Sequence, residues 1–208
     1  VMIRGLNADY KRIAERSLNL KAVLEKGKHV RVTSEKGTDI QFSIEGRSVH
    51  ASKGLFHAPG ESGNLPTGET FLAPVEGTAE GVFIVDGSFA GVGLMENSDI
   101  KLTVKEGVVT DIEGGDNAKQ LAEILAKVGG DAYNIAEFGV GTNESAQLSG
   151  LILEDEKVMG TIHIAVGDNM GFGGKVKVPL HLDGVVKSPD VYLDGKLIMK
   201  KGNFTIEV

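Results

Sequence analysis

Nearly all of the chain outside two stretches alternates apolar and polar residues with period two, and glycine-bearing turns interrupt the alternation at short intervals. No other feature constrains the fold as much. An extended segment with that pattern has one apolar and one polar face, so it must lie in a sheet with at least one side buried. "HVRVTSEKGTDIQFSIEG" reads as a hairpin turning at Lys36-Gly37, and "DIKLTVKEGVVTDIEGG" as another turning at Glu106-Gly107. "DVYLDGKLIMKKGNFTIEV" gives short strands turning at Asp194-Gly195 and Lys201-Gly202. The 29 glycines are what so many turns require.

The two exceptions have helical periodicity. In "NADYKRIAERSLNLKAVLEKG" one stripe holds Tyr10, Ile13, Ala14, Ser17, Leu18, Lys21 and Leu24, with Asn7 as the expected N-cap and Gly27 as the stop. In "DNAKQLAEILAKVGG" the stripe is Leu121, Ile124, Leu125 and Val128, capped by Asp116 or Asn117 and ended by Gly129. No repeat and no linker-like stretch divides the chain. The expected fold is α+β, a mostly antiparallel sheet with two main helices packed on it, in one domain over residues 1–208.

Charge and composition remove several functions. A net charge of −7 is wrong for a surface that neutralises phosphates, so nucleic acid is not an expected partner. No apolar run reaches the roughly 20 residues a bilayer span needs, and no signal-peptide pattern opens the chain, so a cytoplasmic location is expected. With no cysteine there is no disulfide, thiolate zinc site or cysteine nucleophile. Any metal must be held by oxygen and imidazole. No G-x-S-x-G elbow supports a serine nucleophile.

Several segments offer such ligands. "KVKVPLHLDGVV" puts His181 and Asp183 at i and i+2 of a strand, on one face, with Leu180 and Leu182 on the other. "GTIHIAVGDN" puts His163 on the face shared with Thr161 and Ala165, opposite Ile162, Ile164 and Val166. The ordinary account of a lone strand histidine is a ring bonded to backbone, but small neighbours also clear the space a site wall needs. Glu137 lies in the apolar, glycine-containing run "NIAEFGVGTN", where Gly139 and Gly141 let the backbone turn sharply. Glu69 stands at the start of a strand in "NLPTGETFLAP", between two prolines. Glu69, Glu137, His163, His181 and Asp183 form an O/N donor set that suits two divalent ions sharing a bridging carboxylate, or one ferrous ion held by two histidines and a carboxylate. Spacing does not choose between them.

Other features have plainer readings. Glu154, Asp155 and Glu156 in "LEDEKVMG" read as a solvated turn, with a contact to a ligand histidine as the alternative. "GDNMGFGGK" lacks the strand-to-helix context of a phosphate loop and reads as a mobile loop over the metal site, hinged at Gly171, Gly173 and Gly174. His29, His50 and His57 have no carboxylate at ligand spacing and read as surface or structural.

"NLPTGETFLAP", "NIAEFGVGTN", "LEDEKVMGTIHIAVGDN" and "VPLHLDGVV" together resemble, in order and approximate separation, the signatures of the thermophilic metalloaminopeptidases of the aminopeptidase T type, peptidase family M29. The resemblance puts the family's metal-binding glutamates on Glu69 and Glu137, its next ligand on His163, and its His-x-Asp pair on His181 and Asp183. It implies a hydrolase removing N-terminal residues from peptide substrates through two divalent ions (zinc, cobalt or manganese), bridged by Glu137 or Asp183, in a homodimer. It covers only the family's carboxyl-terminal, metal-bearing half, so an N-terminal α/β domain is expected to be missing. Where the peptidases place a tyrosine, this loop has Met170 and Phe172. The same architecture is similar to that of the dihydroxypyridine ring-cleaving dioxygenases, which use one Fe(II); that activity is the alternative, and an inactive structural module is the third. The presence of both glutamates favours the dinuclear hydrolase.

Overall fold

Three of the expected turns share one backbone signature. Glu106, Asp194 and Lys201 have φ of 50°, 49° and 46°, and the glycines after them 79°, 80° and 77°. Two successive positive φ values give the turn whose twist matches a pair of antiparallel strands. In the computed structural model, which describes residues 3–208, all three hairpins lie in the larger of two antiparallel sheets.

The larger sheet runs, in spatial order, β15 (Asn203–Phe204), β14 (Lys196–Lys200), β13 (Asp190–Leu193), β1 (His29–Thr33), β2 (Asp39–Ser43), β5 (Glu80–Val85), β8 (Ile100–Lys105) and β9 (Val108–Glu113). The smaller runs β3 (His50–Ser52), β4 (Glu69–Leu72), β10 (Ile135–Gly141), β11 (Thr161–Gly167), β12 (His181–Lys187), β6 (Ser88–Phe89) and β7 (Gly93–Leu94). Every neighbouring pair in both sheets is antiparallel. Hairpins and meanders of this kind follow from short x-Gly connections, which are too brief to carry a parallel crossover.

Alternation decides which residues enter the core. Val30, Val32, Ile40 and Phe42 point inward from β1 and β2, while His29, Arg31, Asp39 and Gln41 face solvent. From the smaller sheet Phe138, Val140, Ile162, Ile164 and Val166 meet them, and the Phe42 and Phe138 rings stand 5.4 Å apart across the interface. The strands β10 and β11 are buried at all seven positions each, so both faces of the smaller sheet are covered. Only one of those faces is apolar.

Both long helices are where periodicity put them, with different details. Helix α2 (Tyr10–Leu24), which follows the short α1 (Ile3–Leu6), packs on β3 and β4. Its N-cap is Asp9, not Asn7: the Asp9 carboxylate accepts from the backbone N–H groups of Lys11 and Arg12. Its buried stripe is Ile13, Ala14, Ser17, Leu20 and Leu24, with Leu18 exposed, and it ends before Gly27 is reached. Helix α3 (Gly115–Val128) packs on β8 and β9, starts after Gly114 with no side-chain cap from Asp116 or Asn117, and ends at Gly129 as expected. A short α4 (Ile152–Asp155) was not anticipated.

The inter-sheet contact gives a direct test. Phe138→Ala is expected to lower stability by about 3–5 kcal/mol in urea unfolding, the usual penalty for emptying a buried phenylalanine site.

Candidate metal centre

Register alone brings the expected ligands together. Glu69 pairs with Gly141, His163 with Gly139, Glu137 with Ala165, Ala165 with Asp183, and Gly167 with His181. Opposed residues of an antiparallel pair project to the same face. The polar face of the smaller sheet therefore carries Glu69, Glu137, His163, His181 and Asp183, separated by glycines and an alanine. Pairing slips by one residue between Ile135 and Glu137, so Ile135 faces the core with Phe138 while Glu137 turns to the opposite face. A bulge that re-aims one side chain is a common device beside functional sites.

The strand glycines do something other than what was expected of them. β10 runs without a sharp turn, and Gly139 and Gly141 permit close approach instead. A Cβ on Gly139 would lie 2.0 Å from Nε2 of His163, and one on Gly141 would lie 2.1 Å from the Val158 carbonyl oxygen. The His163 ring packs closely against one glycine, and the 156–160 loop crosses over the other.

One ligand atom from each of Glu69, Glu137 and His163 lies within 4.8 Å of the others, and the same holds for Glu137, His181 and Asp183, so Glu137 belongs to both groups. Nε2 of His163 is 3.3 Å from Glu137 Oε1 and 3.5 Å from Glu69 Oε2. Nε2 of His181 is 3.2 Å from Glu137 Oε2 and 3.5 Å from Asp183 Oδ1. Donors held roughly 2.0–2.2 Å from one ion lie about 3 Å from each other, so these separations fit a cation taken up among them. Nδ1 of His181 donates to the Asp168 carbonyl at 2.7 Å, which leaves Nε2 as the nitrogen turned to the carboxylates. Nδ1 of His163 is buried without a partner among the described residues.

The electrostatics already call for positive charge. Burial would lower the His163 pKa, but Glu137, Asp183 and Glu69 outweigh it and hold the ring protonated, with a pKa raised to about 9. Burial is likewise outweighed at His181 by Asp183 and Glu137, giving about 11. Burial opposes ionisation of Glu137 and Asp183 as well, yet their hydrogen bonds to the imidazoles leave both carboxyls below their ordinary values. Without metal, two protons occupy a place where a divalent ion would displace them. The donor set fits such an ion.

Lys157 was missed in the sequence, and its acidic neighbours were placed wrongly. Glu154, Asp155, Glu156 and Lys157 are not a solvated turn; all four are buried. Asp155 ties the chain, accepting from the backbone N–H groups of Ser149 and Gly150 at 2.7 and 2.9 Å. Lys157 bonds Glu69 Oε1 at 2.7 Å and also contacts Glu156. Burial would lower the Lys157 pKa, but those two carboxylates raise it, and burial lifts the Glu156 carboxyl to about 8. Asn143 sets the segment's height by donating its backbone N–H to the Lys157 carbonyl and accepting from Met159 N–H, at 2.9 and 3.1 Å. The only sequence signal was a lysine next to three acids just ahead of the His163 strand.

Aromatic residues wall the approach. Phe172 meets His181 edge-on at 5.7 Å and Phe71 at 5.6 Å, and His50 stacks on Phe71 at 5.3 Å. His50, expected to be incidental, lines an open cleft of ≈ 520 Å³ with Ser52, Phe56, Glu69 and Phe71. The loop after β11 is fastened rather than hinged: Asn169 is fully buried, and a Cβ on Gly174 would lie 1.9 Å from its amide carbon. The side chain of His181 is 29% exposed while those of the other four candidate ligands are 12% or less, so the candidate centre opens to solvent on the His181 side.

Known proteins share this arrangement of strands. The solved 2,5-dihydroxypyridine dioxygenase of Pseudomonas putida KT2440 superposes with a TM-score of 0.89 over 99% of this chain and 62% of its own, at 25% identity. AmpT of Thermus thermophilus superposes with a TM-score of 0.74 over 95% of this chain and 55% of its own; at 22% identity that likeness concerns the fold. The curated 2,5-dihydroxypyridine 5,6-dioxygenase of the same Pseudomonas strain is 26% identical over 200 residues, 90% of this chain and 57% of that protein. The chain thus spans little more than half the length of that relative. No helix is long and apolar enough to cross a membrane among the described residues. The family described as 2,5-dihydroxypyridine 5,6-dioxygenase matches residues 7–206, nearly the whole sequence, so the oxygenase held as the alternative has the better support and the chain belongs to that dioxygenase family.

Proposed function

We propose that this chain provides the metal centre of a dioxygenase that opens a dihydroxylated nitrogen heteroaromatic ring of the 2,5-dihydroxypyridine kind. One observation carries the reading: the Nε2 atoms of His163 and His181 flank the Glu137 carboxylate at 3.3 and 3.2 Å, with Asp183 alongside, in a member of that family. Two imidazoles and a carboxylate are the donor set of non-haem ferrous oxygenases. Glu137, His181 and Asp183, whose ligand atoms lie within 4.8 Å of one another, would hold the ion, with His163 on the other oxygen of Glu137. When bound, ferrous iron supplies the chemistry with dioxygen that no side chain can.

The remaining work falls to the chain. Phe71, Phe172 and His50 offer aromatic surface to a flat ring beside the centre. Glu69, with Oε1 held by Lys157, keeps Oε2 available to accept a hydrogen bond from a ring hydroxyl. Burial of four of the five candidate ligands keeps bulk water off the reacting ring.

The dinuclear hydrolase, expected first from sequence, keeps one observation in its favour, the second donor group of Glu69, Glu137 and His163. Against it, Lys157 already places a cation on Glu69. Protein purified anaerobically and loaded with ferrous iron is expected to bind one ion per chain and to take up dioxygen as 2,5-dihydroxypyridine is consumed. Two zinc, cobalt or manganese ions per chain, with cleavage of aminoacyl anilides and no oxygen uptake, would overturn the proposal in favour of the hydrolase.

Two variants examine the parts separately. Gly139→Ala, which drives a methyl group into the His163 ring, is expected to weaken iron binding by about 10–100-fold, measured by metal titration. Lys157→Met leaves Glu69 and Glu156 buried without their cation and is expected to lower stability by about 3–5 kcal/mol. In thermal melts, part of that loss should be recovered on adding a divalent ion.

A further inference from the structure

Glu76 lies in the connection between β4 and β5, away from every candidate ligand in sequence, yet it closes a ring of hydrogen bonds across the loop that joins β11 to β12. Its Oε1 accepts from Asn169 Nδ2 at 3.0 Å and from the backbone N–H of Lys175 at 2.8 Å. Its other oxygen pairs with Arg47, whose Nη1 donates to the Gly173 carbonyl at 2.6 Å. Asn169 spends its own carbonyl on the backbone N–H of Val176, at 2.9 Å. Residues 169 to 176 are thereby fixed from outside, in a stretch whose glycines at 171, 173 and 174 supply no stiffness of their own.

Two features of the metal centre hang from that loop. The carbonyl immediately before Asn169, that of Asp168, receives Nδ1–H of His181. The ring of Phe172 stands against both His181 and Phe71. A carbonyl one peptide away from a clamped asparagine cannot rotate freely. While it stays in place, His181 turns Nε2 and not Nδ1 toward Glu137 and Asp183.

We propose that Glu76 is a positioning residue for the metal centre: through Asn169 it holds the Asp168 carbonyl that selects the nitrogen His181 offers to the ion. The role rests on the reading of His181 as a ligand. It predicts that a carboxylate touching neither metal nor substrate affects how the metal is bound.

Cobalt(II) is the probe, followed by titration and by its visible absorption, with imidazole nitrogen resonances of the metal-free protein recorded in parallel. Glu76→Ala is expected to bind cobalt about 10–100-fold more weakly, with a changed absorption band and a shifted His181 Nδ1 resonance. Glu76→Gln retains an oxygen able to accept from Asn169 and Lys175 and should restore the wild-type spectrum, a rescue that general destabilisation does not explain. Should Glu76→Ala fail to fold, Asn169→Asp is read in the same way: it keeps the acceptor for Val176 and loses the donor to Glu76. A folded variant with wild-type affinity, band and His181 resonance overturns the positioning role. Wild-type protein that takes up no cobalt overturns the functional reading instead, and the His181 resonance then still decides whether Glu76 orients the ring.

Discussion

Everything at the centre depends on placing carboxylates on a sheet face from which water is largely excluded. An unpaired buried charge is too costly to retain. Glu69, Glu137 and Asp183 are tolerated because Lys157, His163 and His181 stand among them, while burial lifts the nearby Glu156 carboxyl to about 8. The same carboxylates that would unfold an unsupported sheet are donors a divalent ion could take over from the imidazole protons. Fold stability and the proposed metal affinity would therefore come from one electrostatic arrangement.

Much of this was legible in the sequence, for identifiable reasons. The hairpins were readable because x-Gly turns and period-two alternation are local signals, and all five expected ligands do converge because strand parity is also local. What failed was long-range. The division of the strands into two sheets, and burial of the 154–157 segment, depend on what packs over them, and Lys157 next to three acids looks the same whether solvated or enclosed. Gly139 was misjudged for the same reason: its purpose lies in the ring of a residue 24 positions later, which only the register shows. The helix caps were wrong by small steps, since Asn7, Asp9 and Asp116 are all respectable cap residues and the surrounding chain decides among them.

The likeness to both a ring-opening dioxygenase and AmpT shows how little a shared scaffold says about chemistry. A five-donor face with one carboxylate common to two groups can be populated in more than one way. Which way is taken depends on cations the protein carries itself and on the walls of the approach. Here those are a buried lysine and a set of aromatic rings. Resemblance of ligand blocks pointed to five residues that lie together on one sheet face; the family match, which weighs the whole chain, favours the dioxygenase family.

The slip in pairing at Ala136 has a consequence for how such a chain can diverge. Because one extra residue sends Glu137 to one side of the sheet and Ile135 to the other, regular pairing through the same three residues would put both on one face, with either an acid in the oily interior or an isoleucine among the donors. Descendants of this strand can vary letter by letter more readily than in the place of the slip, since moving it past Glu137 would take the acid off the face it shares with His163 and Asp183.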